Sequence, residues 1–114
     1  MTEAERELVK ATVRGISRGV VLWLVGQKPV SGYRIVKEIE RLMGQKFNPG
    51  IIYPLLYELE KEGFIAGGWT QKGGRRIKYY SITENGTELL NRLRELFEMP
   101  VKEVLKDLIR EKLE

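Results

Sequence analysis

Asn48 to Gly86 reads N-P-G-I-I-Y-P-L-L-Y-E-L-E-K-E-G-F-I, then A-G-G-W-T-Q, then K-G-G-R-R-I-K-Y-Y-S-I-T-E-N-G. Asn48 is a good helix cap, and Pro49 stands at the first helical position, where a missing N–H costs least. Ile52, Leu55, Leu56 and Leu59 recur at helical spacing and predict a buried stripe; Gly63 stops the helix. Pro54 falls early enough to remove a single helical hydrogen bond. Phe64–Gln71 and Arg76–Ile82 predict two strands, joined at Gly73-Gly74, a pair that tolerates the positive φ of a tight hairpin. Tyr79 and Tyr80 point to opposite faces, so one of them shares a face with Ile82 and is buried. Thr83 then caps a new helix. A helix running at once into a basic hairpin is the layout of a winged helix-turn-helix, which makes nucleic-acid binding the leading reading.

Outward from this stretch the chain is helical. Glu3–Val25 carries Leu8, Thr12, Ile16, Val20 and Trp23 or Leu24 at spacings of three and four. Gly15 and Gly19 each weaken that helix by about 1 kcal/mol relative to Ala and predict a division into an outer and a core helix. Gln27-Lys28-Pro29 ends it. Ser31 caps a second helix with Tyr33, Ile35, Val36, Ile39 and Leu42 on one face, closed at Gly44. After Thr83, the apolar stripe Leu89, Leu90, Leu93, Leu96 and Phe97 continues through Val101, Val104, Leu105, Leu108 and Ile109 in near-heptad spacing. Pro100 pushes Met99 out of the α region and predicts a kink or short break. The fold class is therefore α+β, mainly α: a winged helix-turn-helix over 1–86, with an N-terminal helix, and a long C-terminal dimerisation helix over 87–114 in the same compact unit.

With 114 residues, the chain has the length of one domain. It contains neither Cys nor His, which removes disulfides, thiolate metal sites, the commonest zinc ligand and the commonest general base. Glu58, Glu60 and Glu62 do not converge as a paired acid and base, so no enzyme, metal site or cofactor is expected. No apolar run approaches the ~18 residues of a membrane span. The acidic start, with Glu3, Glu5 and Glu7, is unlike a cleaved leader, and a cytoplasmic location is expected. Net charge is only +4, but it is unevenly spread. Lys72, Arg75, Arg76 and Lys78 crowd the hairpin with no acid among them, whereas acids outnumber bases beyond Thr83. Two surfaces with different partners follow.

The four wing cations are candidates for phosphate contact, where each neutralised phosphate releases counterions. The competing reading is that they keep an edge hairpin soluble. On the third helix, Gly50, Ile51, Tyr53 and Tyr57 are taken as outward residues near a helix start whose dipole favours phosphate. Asn48 and Lys46 lie just ahead of it. Few side chains here make bidentate base contacts, so DNA shape is expected to carry much of the specificity. Tyr53 is either a DNA contact or a core residue, and the same two readings stand for Tyr33; Arg34 beside it is a second candidate for the backbone. The C-terminal stripe is wider than one neighbour covers. A homodimer built on Leu90, Leu93, Phe97, Val101, Val104 and Leu108, with Leu8 of the first helix across the partner, would cover it. Folding back onto the first helix is the alternative.

These residues resemble the PadR family of transcriptional regulators. The matching pieces are Ser31-Gly32-Tyr33 with Ile35, Pro49-Gly50-Ile51-Ile52-Tyr53-Pro54-Leu55-Leu56, Leu59-Glu60, Glu62-Gly63-Phe64-Ile65 and Arg76 to Gly86. They run from about Ile16 to Leu90, and the chain's length resembles the compact subgroup with one C-terminal dimerisation helix. The resemblance implies a homodimeric repressor on a pseudo-palindromic operator, with the third helices in major grooves about 34 Å apart. It implies DNA contact at Pro49, Gly50, Ile51 and Tyr53 and at the wing's Lys72, Arg75, Arg76 and Lys78. Ile51 departs from the Thr or Ser frequent in relatives, which removes a hydroxyl contact. Some relatives release DNA on binding planar effectors stacked on a C-terminal-helix tryptophan. Here Trp23 and Trp69 lie elsewhere and Phe97 is the sole aromatic of that helix, so the sequence gives an effector no support. A winged-helix architectural or protein-interaction module is the alternative function.

Overall fold

The computed structural model describes residues 1–43 and 49–110, and the expected closure at Gly44 and cap at Asn48 fall outside them. Its elements are α1 (Glu3–Gln27), β1 (Val30–Ser31), α2 (Gly32–Met43), α3 (Pro49–Lys61), β2 (Ile65–Lys72), β3 (Arg75–Ile82), α4 (Glu84–Glu98) and α5 (Val101–Arg110). The three strands form one antiparallel sheet in the order β1-β3-β2. This is a mainly helical α+β winged helix.

Glycine does not divide α1. It is one 25-residue helix, capped by Thr2, whose Oγ1 accepts from the Glu5 N–H at 3.1 Å. Burial of Val21, Leu22, Leu24 and Val25 outweighs the propensity cost of Gly15 and Gly19. Of the helical pattern, Leu24 is buried and Val20 packs against the core, together with Ser17, Val21, Leu22 and Val25, while Leu8, Ile16 and Trp23 are exposed. Residues 20–25 are apolar all round, so their periodicity does not say which side meets the core.

In α2, Ser31 Oγ accepts from the Arg34 N–H at 3.2 Å, the expected cap, although Ser31 also pairs with Tyr79 in the short strand β1, an element not expected. Ile35, Val36 and Ile39 are buried, whereas Tyr33 and Leu42 stand outside. In α3, Ile52, Leu55, Leu56 and Leu59 are all core residues. Gly63 adopts φ +83° and Phe64 N–H returns to the Leu59 carbonyl at 2.9 Å, closing the helix through a left-handed residue.

The hairpin register runs from Ile65 opposite Ile82 to Lys72 opposite Arg75. Gly73 and Gly74, at φ +58° and +76°, make the two-residue turn with both central residues at positive φ. Tyr80 shares the inward face with Ile82 and is buried. Thr83 caps α4, its Oγ1 accepting from Gly86 N–H at 3.1 Å and donating to the Gly63 carbonyl at 2.7 Å. Met99 is extended (φ −83°, ψ −174°) and separates α4 from α5 as Pro100 demands. α4 packs back on α1 and β3. Leu90 therefore belongs to this chain's own core and Leu93 leans against it, so Leu90 is not open to a partner as expected.

Candidate nucleic-acid interface

The inward face of the wing extends past the core. Along β3 it carries Ile82, Tyr80, Lys78 and Arg76; along β2 it carries Ile65, Gly67, Trp69 and Gln71. The first pairs fill the core. The later ones face the starts of α2 and α3 across an open cleft of about 650 Å³, lined by Ser31, Gly32, Tyr33, Tyr53, Trp69, Arg75, Arg76, Ile77, Lys78 and Tyr80. Aromatic rings and cations alternate around it.

Each wall has a local cause. Tyr53 projects from α3 over the first residue of α2, so close that a Cβ on Gly32 would stand 2.8 Å from Tyr53 Cε1. The glycine is what lets this ring lie down. Tyr53 nonetheless stays 46% exposed, neither a core residue nor a free-standing one. Trp69 is 59% exposed, with the Arg76 guanidinium 4.9 Å from its ring centroid. That distance is a cation–π contact, which stiffens a guanidinium otherwise loose at the tip. Tyr33 is exposed, with the Lys37 ammonium 5.5 Å above its ring.

Lys72, Arg75 and Arg76 are exposed at the tip. Lys78 differs from them. Its ammonium donates to Glu60 Oε1 at 2.9 Å, and both side chains are largely covered, 28% and 32% exposed. That hydrogen bond raises the Lys78 pKa above the ordinary lysine value, against the opposing effect of burial. Burial likewise raises the Tyr80 hydroxyl above the usual phenol, opposed by the nearby Lys78 charge. Arg34 is exposed but leans toward Glu38, 3.8 Å away, which Arg41 grips more closely at 2.9 Å. The Arg41 hydrogen bond holds the Glu38 carboxyl below the usual carboxylate range.

On α3 the exposed stripe is Gly50, Tyr53, Pro54, Tyr57 and Lys61. Ile51, expected to face outward, is not part of it; it is half-buried and packs against the core. Two acids of the same helix are half-buried and engaged, Glu58 by Arg18 at 2.9 Å and Glu60 by Lys78. α3 begins at Pro49, and Asn48 lies outside the described residues. Thus Tyr33, Tyr53, Arg75, Arg76 and Lys78 converge on one cleft. Gly50 and Lys72 are exposed on the elements that form its walls, and Arg34 lines a separate hollow with Lys28 and Glu38. Trp69 was not singled out by its sequence context. Its place opposite Lys78 in the register is the signal that finds it.

This fold has relatives. The model of the "Transcriptional regulator PadR-like family" matches residues 21–92. The chain belongs to the PadR-like family. It is 33% identical over 87 residues to the transcriptional regulator YqjI of Escherichia coli (strain K12), a match covering 75% of this chain and 41% of that longer protein. It is 30% identical over 100 residues to the transcriptional regulator Rv3488 of Mycobacterium tuberculosis, covering 88% of this chain and 89% of that one. Among solved structures it resembles the PadR-like transcriptional regulator BC4206 of Bacillus cereus, with a TM-score of 0.77, 28% identity and coverage of 90% and 99% of the two chains. The PadR-like match contains α2, α3 and the wing, the elements that build the cleft, and most of α4. Among the described residues no helix is long and apolar enough to cross a membrane, and none of their acidic side chains group as a metal site.

A second surface of this PadR-like chain shares no residue with the cleft. An apolar groove of about 310 Å³ runs between α1 and α4, lined by Gly15, Ile16, Gly19, Val20, Trp23, Leu90, Leu93, Arg94 and Phe97. Past Phe97 a second hollow reaches α5 at Leu105 and Ile109; on the same helix Val101 is half-covered and Val104 and Leu108 are exposed. Leu8, near the start of α1, is exposed as well.

Proposed function

We propose that the chain is a non-enzymatic, cytoplasmic DNA-binding regulator, a homodimeric repressor that occupies a pseudo-palindromic operator. The reading rests above all on the cleft between the α3 start and the wing, whose rim carries the exposed Lys72, Arg75 and Arg76. A phosphate strand passing there meets fixed cations on one side and, on the other, the tyrosines and the first turn of α3, whose dipole favours anions. Tyr33, Tyr53 and Arg34 contact backbone, with Asn48, Pro49 and Gly50 at the helix start. With few base-reading side chains exposed on α3, binding selects DNA by shape and deformability as much as by base edges.

Dimerisation supplies the two-fold. Residues 87–114 provide the interface, with Leu93 and Phe97 at the groove, Val101, Val104 and Leu108 beyond the break and Leu8 from α1. A partly exposed apolar stripe of this extent is costly on a monomer and is covered by the same stripe of a second copy. Nuclease footprinting on DNA recovered with the protein tests this reading. The expected footprint is two-fold symmetric, with half-site centres one helical turn, about 34 Å, apart. A continuous footprint without symmetry contradicts the dimeric repressor and favours an architectural role, a reading to which the paucity of base-reading side chains also lends support.

A further inference from the structure

Lys78 looks like a fourth wing cation in the sequence, yet it is bound to an acid from the helix next door. Three observations fix that pair in place. Its N···O distance is 2.9 Å with both side chains largely covered. The Lys78 ammonium also lies 5.9 Å from the Trp69 ring centroid and 5.2 Å from that of Tyr80. Finally, the pair occupies the space above Gly67, where any Cβ would run into Lys78 Cε and approach Glu60 Oε2 to 2.9 Å. The wing strand thus lacks a side chain at the point where the ion pair passes.

We propose that Glu60 is a specificity-determining residue of the cleft, an internal counterion that withholds Lys78 from the phosphate strand. The inference rests on the DNA-binding reading above. With Lys78 neutralised inside the protein, counterion release by the wing is left to its tip cations, and phosphate entering deeper meets a carboxylate behind the cleft wall. Counterion release is indifferent to sequence, so each cation added to it raises affinity for every DNA alike. Withholding one keeps non-specific binding low and leaves discrimination to contacts that depend on shape.

The test compares wild type, E60Q, and the double variant E60Q/K78Q, which replaces the ion pair by a neutral hydrogen-bonding pair, on operator and random duplexes across a salt series. E60Q is expected to bind random duplex more tightly. Its log affinity should fall more steeply with log salt by about 0.9 per protomer, and its preference for operator should shrink. The double variant is expected to match the wild-type slope. A double variant shallower than wild type by about 0.9 per protomer would mean that Lys78 already neutralises phosphate, overturning the inference while leaving DNA binding intact. An E60Q slope equal to that of wild type, with folding verified by circular dichroism, overturns it as well. Absence of salt-dependent binding by wild type would remove both the inference and the reading beneath it.

Discussion

Single positions in this protein are decided by what stands within a few ångströms. Gly86, in the first turn of α4, is the sharpest case. A Cβ there would collide with the Phe64 carbonyl oxygen and approach Ile82 Cγ1 to 2.8 Å. Backbone cannot yield as a flexible side chain can, so Gly86→Ala should destabilise the fold by at least the ~1–3 kcal/mol of an overpacked core, measured by urea unfolding. Gly32 and Gly67 are tight for another reason, since side chains of the cleft lie over them. Titration at this scale is simple to foresee. The chain has no histidine, and the two shifted cleft groups, Lys78 and Tyr80, both move upward, away from neutrality. Lys78 therefore stays charged. Its contribution to stability is fully present below the ordinary lysine value and is lost only as pH climbs through the raised one. With no histidine or cysteine in the chain, DNA affinity at constant salt should be flat between about pH 6 and 9; a bell-shaped profile in that window would contradict this.

Elements were legible in proportion to how local their signals are. Gly63, Gly73-Gly74, Thr83 and Pro100 act on their own backbone neighbours, and α3, the hairpin, the start of α4 and its break all fall where those residues place them. Signals that need a partner were hidden. The register of α1 against the core depends on elements dozens of residues away. Ile51 turns inward because α3 rotates its whole stripe toward α1 and β2, and β1 exists only because β3 offers it an edge. The Lys78–Glu60 pair joins residues 18 apart on different elements, so a run of wing cations concealed that one of them is spent internally. The hairpin itself admits a direct check. Replacing Gly73 and Gly74 by alanine asks two L-residues to hold positive φ at about 1–2 kcal/mol each. Thermal melting should reveal that loss, and duplex affinity should fall with it, although no charge has changed.

The whole molecule has two unlike faces. One is the aromatic and cationic cleft of wing, α2 and α3; the other is the apolar groove between α1 and α4, with α5 beyond it. A homodimer would bury the second face and set two copies of the first at a fixed spacing. Placing charge on that face, as in Phe97→Glu with Leu108→Glu, should shift sedimentation from dimer toward monomer while leaving the winged-helix core folded, because both side chains are exposed in the single chain. Loss of the dimer should also cost operator affinity more than random-duplex affinity, since only the operator carries two half-sites in register. The central claim is that the wing tip neutralises phosphate, and the salt dependence of duplex binding by wild type and by R75Q/R76Q addresses it most directly. Removing two phosphate contacts per protomer should flatten the log–log slope by about 1.8 per protomer. Equal slopes for the two proteins, both folded, would contradict it.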